Sequence, residues 1–177
     1  MASEAVTAMP DAPDKPKDPV ASIAGQVPHL STGDRAALRR IYLTQSHAAD
    51  GVVVGLLHRA GVTVPERAEA FAPWRLLAHV AALLSGTGGE QPHAPGRRVG
   101  SALQAAGYSE NRLLRLTAAR GQALEGQIIR AARMLVQAGV GPVNLWTLFL
   151  LAGRDRDKAE EGRIRIAQDY YSAAAKA

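Results

Sequence analysis

From Ser31 to Ser172 apolar residues return every three or four positions, and no segment alternates apolar with polar residues long enough to make a convincing strand. The nearest strand-like stretch, "GVVVG" at residues 51–55, leads straight into a helical pattern. This rhythm restricts the chain to an all-α fold. Composition agrees: of 177 residues 47% are apolar but only 5% aromatic, so Leu, Ala, Ile and Val must fill the core. The length suffices for one ordinary domain or two small ones.

Gly and Pro set the punctuation. Residues 1–29 carry Pro10, Pro13, Pro16, Pro19 and Pro28 and read as a disordered, proline-rich tail. Order is expected from near Ser31, an N-cap with Asp34 three residues on, followed by the stripe Ala37, Leu38, Ile41 and Tyr42. "GVVVGLLHRAG" gives a second helix stopped by Gly61, and Pro65 opens a third that Pro73 kinks or restarts and that runs to about Ser85. "GTGGEQPHAPG", residues 86–96, cannot hold a helix and reads as a linker. Beyond it come Arg97 to Ala106, a helix capped by Ser109, Gln122 to Ala138 stopped by Gly139, a short apolar helix after Pro142, and a last helix from about Asp155 to Ser172. The expected architecture is two small helical bundles, residues 30–85 and 97–177, joined by the Gly/Pro-rich linker 86–96.

The formal charge is +5 and unevenly placed. Residues 1–34 hold two lysines against five acids, whereas residues 35–177 hold nineteen basic residues against eleven acids. Seventeen of the basic residues are Arg, whose guanidinium fork suits phosphate oxygens. A GC-rich genome, acidic protein partners or simple solubility would use the same charge. With no cysteine, disulfides, thiolate metal sites and a Cys nucleophile are excluded. The N-terminus lacks a basic segment followed by an apolar run, so no signal peptide is expected. No stretch reaches about 18 uninterrupted apolar residues, so no membrane span is expected either. The cytoplasm is the expected location.

Catalytic chemistry does not assemble. None of the five histidines is spaced as a helix metal site, and the glycines of the linker lack the Lys and the preceding strand of a phosphate loop. Asp155, Asp157, Glu160 and Glu161 alternate with Arg154, Arg156 and Lys158, as a solvated helix start does. No enzyme activity, metal or cofactor is expected.

The arginines are patterned. In the helix from Gln122, Leu124, Ile128, Ala131 and Leu135 mark the inward stripe, and Gln127, Arg130, Arg133 and Gln137 fall near one outward face. In the preceding helix Leu113 and Leu116 point inward, with Arg112 and Arg115 one turn apart on another face. Arg39 and Arg40 stand on the first helix, and Arg97 and Arg98 open the helix after the linker. Arginines interleaved with Gln suit a helix tracking a sugar–phosphate backbone, a contact that positions a strand without reading its bases. A merely soluble polar face would show the same pattern, and so would a helical adaptor for an acidic protein.

The segments "VGSALQAAG", "SENRLLRL", "IIRAARMLVQAG", "GPVNLWTL" and "RIRIAQDYY" follow one another in order and at fitting distances. This set resembles the CasB family, the small subunit of the type I-E CRISPR surveillance complex Cascade, and "LSTGDRAALRR" resembles that family's first basic helix. The resemblance covers roughly residues 30–172. It implies a non-enzymatic, all-helical protein of two small bundles. Its implied partners are the backbone and large subunits of the complex, the guide RNA they carry, the target and displaced DNA strands, and a second copy of itself. A basic surface would steady the strands so that the R-loop persists, while base pairing reads sequence. By position Arg40, Arg112 and Arg130 match basic residues of the family and Arg120 falls near one; Arg39, Arg97, Arg98 and Arg133 are added from their facing. Residues 86–96 lack the basic residues that many relatives carry there, and Ser101 stands where relatives often have Arg. Trp146, Leu148, Phe149, Tyr170 and Tyr171 are expected to pack rather than stack on bases.

Overall fold

The computed structural model describes residues 18–44, 47–86 and 88–176. Among them the chain forms α1 (Pro19–Gln26), α2 (Thr32–Thr44), α3 (Asp50–Arg59), α4 (Ala68–Leu84), α5 (Val99–Ala105), α6 (Glu110–Ala118), α7 (Gly121–Gln137), α8 (Leu145–Ala152) and α9 (Arg156–Ala174), and no named strand. The fold is all-α.

The reading of residues 1–29 as a disordered tail is corrected from Asp18 onward; residues 1–17 lie outside the described residues. Pro19 opens α1 instead of breaking a helix, because a first-turn N–H has no intrahelical partner to lose. Asp18 Oδ1 accepts from Val20 and Ala21 N–H at 2.9 and 3.0 Å, and Val20, Ile23 and Ala24 are buried. The same carboxylate reaches Trp146 Nε1 on α8 through Oδ2 at 2.6 Å, tying the helix to the far half of the chain.

The cap at Ser31 forms as its spacing implies, with Asp34 N–H donating to Ser31 Oγ at 3.0 Å. Gly61, Gly107 and Gly139 follow helix ends with φ of 70°, 72° and 65°. Helix α4 begins at Ala68 and continues through Pro73 without restarting. From Leu76 to Ala82 every residue of α4 is buried, and α1, α2, α3, α7 and α8 pack around it. One buried cluster therefore runs from Val20 to Tyr170, across both helical groups. The segment 86–96 holds no helix among its described residues, but it is packed: Ala94 N–H donates to Val143 O at 3.0 Å, and Val143 N–H to Pro92 O at 3.3 Å.

Helices α5 and α9 cross at Gly100. A Cβ there would sit 2.1 Å from Ile166 O and 2.7 Å from Tyr170 N, both backbone atoms that cannot step aside. Gly126 on α7 has nothing within 4 Å of that position. Gly100→Ala is expected to lower unfolding free energy by about 2 kcal/mol or more. Gly126→Ala should raise it by roughly 0.5–1 kcal/mol. Urea denaturation of both variants checks the contrast.

Two imidazoles are buried. His79 Nδ1 donates to Leu38 O at 2.8 Å, and His93 Nδ1 accepts from Leu145 N–H at 3.1 Å. Burial pushes both below their ordinary 6.5; the Leu38 carbonyl opposes this at His79 and Asp18 opposes it at His93. A histidine depressed in the folded state contributes its full stability above the unfolded value and loses it as pH falls. Unfolding free energy should therefore decline as pH drops below about 6.5, before carboxylates titrate. His93→Asn, which keeps an acceptor for Leu145 but cannot be protonated there, should flatten the decline.

Candidate nucleic-acid interface

The apolar stripes predicted for α6 and α7 face inward: Leu113, Leu116, Leu124, Ile128, Ala131 and Leu135 are buried. That orientation leaves the polar faces of the two helices side by side. Between them lies a groove of about 410 Å³ lined by Tyr108, Arg112, Arg115, Gln127, Arg130, Arg133, Met134 and Gln137. No acidic residue lines it. Among the described residues none of its arginines forms an ion pair. Arg112 Nη1 lies 3.1 Å from the Met134 sulfur, a weak acceptor. Tyr108 is the most buried residue of the lining, at 2% exposure; burial raises its phenol pKa, while Arg112 and Arg130 pull it the other way.

The groove gathers Arg112, Arg130 and Arg133 of the eight sequence candidates. It adds Arg115, whose signal is its three-residue spacing from Arg112 on the same helix. The other five stand elsewhere. Arg39 donates through Nε to Ala82 O at 2.8 Å and through Nη2 to Gly86 O, closing the carbonyl end of α4. Arg40 is exposed, with Nε on Ala36 O of its own helix at 3.1 Å. Arg97 is exposed near Gly141. Arg98 pairs with the buried carboxylate of Asp169 at 2.8 Å, fastening α5 to α9. Arg120 forms a fork on Glu160, at 2.8 and 3.0 Å, and also donates to Thr117 O and Ala119 O. Arg39, Arg98 and Arg120 thus already have acceptors within the fold.

The aromatic side chains of the second half pack. Phe149 lies 4.4 Å from Trp74 and 5.6 Å from Trp146 between ring centroids. Leu148 and Tyr170 are buried, and the Tyr170 hydroxyl donates to Tyr108 O, under the groove. Tyr171 is 43% exposed but held by Glu110 Oε1 at 2.6 Å. His47 meets Asp50 three residues on, at 2.7 Å, a pairing missed in the sequence reading. Among the described residues no group of three or more His, Cys, Asp or Glu could hold a metal ion, and no helix is long and apolar enough to cross a membrane.

Comparison with known proteins supports the family resemblance noted in the sequence. No curated protein and no solved structure matches the chain. A family model described as CRISPR-associated protein Cse2 matches residues 34–171, from the first turn of α2 to near the end of α9. That span covers most of the chain and includes the whole arginine groove, and the chain belongs to the Cse2 (CasB) family, the small subunits of type I-E CRISPR Cascade.

Proposed function

We propose that this Cascade small subunit acts without catalysis, holding DNA strands of the R-loop by their sugar–phosphate backbone in the α6–α7 groove. Its working partners are then the backbone and large subunits, the guide RNA–containing complex, the target and displaced strands and a second copy of itself, in the cytoplasm. The observation that carries this reading is the groove: four arginines from two helices converge on one recess with no carboxylate among them. An internal salt-bridge network would contain acids, as Arg120 and Arg98 show. Guanidinium groups spaced along helices and separated by Gln amides offer paired donors to successive phosphates without a pattern that reads bases. A continuous row of donors supports a strand as the occupant over an acidic protein. Arg40 and Arg97, both exposed, would extend the path as outlying contacts, whereas Arg98 is held by Asp169.

The test is binding of unrelated single-stranded DNA sequences as a function of salt. With four phosphates held, log affinity should fall with log salt at a slope near −2.8, about −0.7 per contact. Arg112→Glu with Arg130→Glu should weaken every sequence alike and flatten the slope by roughly 1.4. Arg39→Gln should leave the slope unchanged and lower stability by about 1–2 kcal/mol, because its bonds are to the backbone carbonyls of Ala82 in α4 and Gly86 just beyond it. Absence of DNA binding at low salt, with capture of an acidic protein instead, would replace this reading with the adaptor.

A further inference from the structure

The phenol of Tyr108 lines the arginine groove, and its hydroxyl has no hydrogen-bond partner among the described residues. The sealed polar side-chain atoms that lack a partner there are Arg35 Nε, His79 Nε2, His93 Nε2 and Arg163 Nε. The Tyr108 hydroxyl is not one of them, so the 2% of this residue that solvent reaches includes its oxygen. The charges that act on it are Arg112 and Arg130, both of the groove lining. Burial outweighs them and holds the phenol above its ordinary 10, so at neutral pH it is an O–H donor. The backbone of Tyr108 is pinned on both sides: its N–H donates to Leu103 O at 3.0 Å after the turn at Gly107, and its carbonyl accepts from the Tyr170 hydroxyl. The donor is therefore in place before any ligand arrives. Beside it, the Arg130 guanidinium has no acceptor among the described residues and that of Arg112 has only the Met134 sulfur.

We propose that Tyr108, Arg112 and Arg130 form a seat for one phosphate group, the phenol donating to one phosphate oxygen and the two guanidinium groups to the others. The seat rests on the reading of the groove as a strand path and adds a fixed point to it: one phosphate of the strand turns inward here, while Arg115 and Arg133 meet its neighbours. Donors arriving from the turn between α5 and α6, from α6 and from α7 suit a tetrahedral anion with several outward oxygens. A carboxylate is planar and one guanidinium fork satisfies it, as Arg120 does for Glu160. A base edge presents donors beside its acceptors, and a guanidinium cannot accept. Tyr108 is uncharged and releases no counterion from the strand, so its share of the affinity is indifferent to salt, unlike that of the arginines.

The experiment measures binding of oligothymidine across a salt series by the full chain, by Tyr108→Phe and by Arg112→Gln. Tyr108→Phe removes a hydroxyl that bonds nothing in the fold and leaves the carbonyl that Tyr170 uses, so its melting temperature should not fall. Its affinity should drop roughly tenfold, the worth of one hydrogen bond to a charged acceptor, by the same factor at every salt concentration and with the slope unchanged. Arg112→Gln should instead flatten the slope by about 0.7. A second arm titrates the ¹⁵N-labelled chain with inorganic phosphate or acetate and follows the Arg112 and Arg130 Nε–H resonances. Phosphate should shift both saturably and bind more weakly to Tyr108→Phe, and acetate should not saturate them. Wild-type affinity for both phosphate probes in Tyr108→Phe, a lowered melting temperature with affinity intact, or acetate matching phosphate overturns the seat. Loss of affinity in Arg112→Gln alone overturns the seat and leaves the strand path standing. Saturation by phosphate without binding of oligothymidine supports the seat as a site for free phosphate and overturns the strand path; no response to either probe overturns both.

Discussion

Burial of α4 on all its sides is the constraint from which the arrangement follows. A helix whose residues from Leu76 to Ala82 all avoid water needs cover around its whole circumference, and no single neighbour supplies it. Helices α1, α2 and α3 cover one part and α7 and α8 another. The cover reaches even the polar atoms: His79 is satisfied at Nδ1 by Leu38 O of α2, and the carbonyl end of α4 is closed by Arg39 from the same helix. Packing α7 on α4 fixes which face of α7 is hidden. Its opposite face, with Arg130, then has to point outward beside α6. The arginine groove is thus a consequence of how a buried helix is covered.

The arginines divide by their acceptors. Arg39 serves carbonyls, Arg98 a buried Asp169, Arg120 and Arg163 a common Glu160. These bonds hold helix ends and crossings together, and their charge is spent within the fold. In the groove Arg112 meets the Met134 sulfur, an acceptor too weak to compensate a guanidinium. Like charges brought together repel one another, so such a cluster lowers stability unless a polyanion joins it. That asymmetry separates the groove arginines from the structural ones more sharply than their number or their facing does.

Much of this was legible in the sequence because it is local. The three- and four-residue apolar spacing, the Ser31–Asp34 cap, the stops at Gly61, Gly107 and Gly139, and the Gln127–Gln137 row each depend on residues within a few turns. Helix α1 was hidden by the proline count around it: one of those prolines sits at a first turn, where it does no harm, and the short stripe Val20, Ile23 and Ala24 gains its stability only from the core it enters. The packing of residues 92–94 against Val143 was equally invisible, since it needs a partner about fifty positions away. The fates of Arg98 and Arg120 depend on Asp169 and Glu160, which no helical spacing connects to them. Facing alone could therefore nominate eight arginines but could not say which already had partners.

The most direct measurement is the lifetime of the R-loop on supercoiled DNA, followed molecule by molecule, in Cascade assembled with the wild-type small subunit or with Arg112, Arg115, Arg130 and Arg133 all changed to Gln. If the groove steadies strands, the variant complex assembles with unchanged subunit composition and its R-loops collapse sooner, the difference shrinking as salt rises. Equal lifetimes at low salt from a fully assembled variant complex would contradict a strand-holding role for the groove.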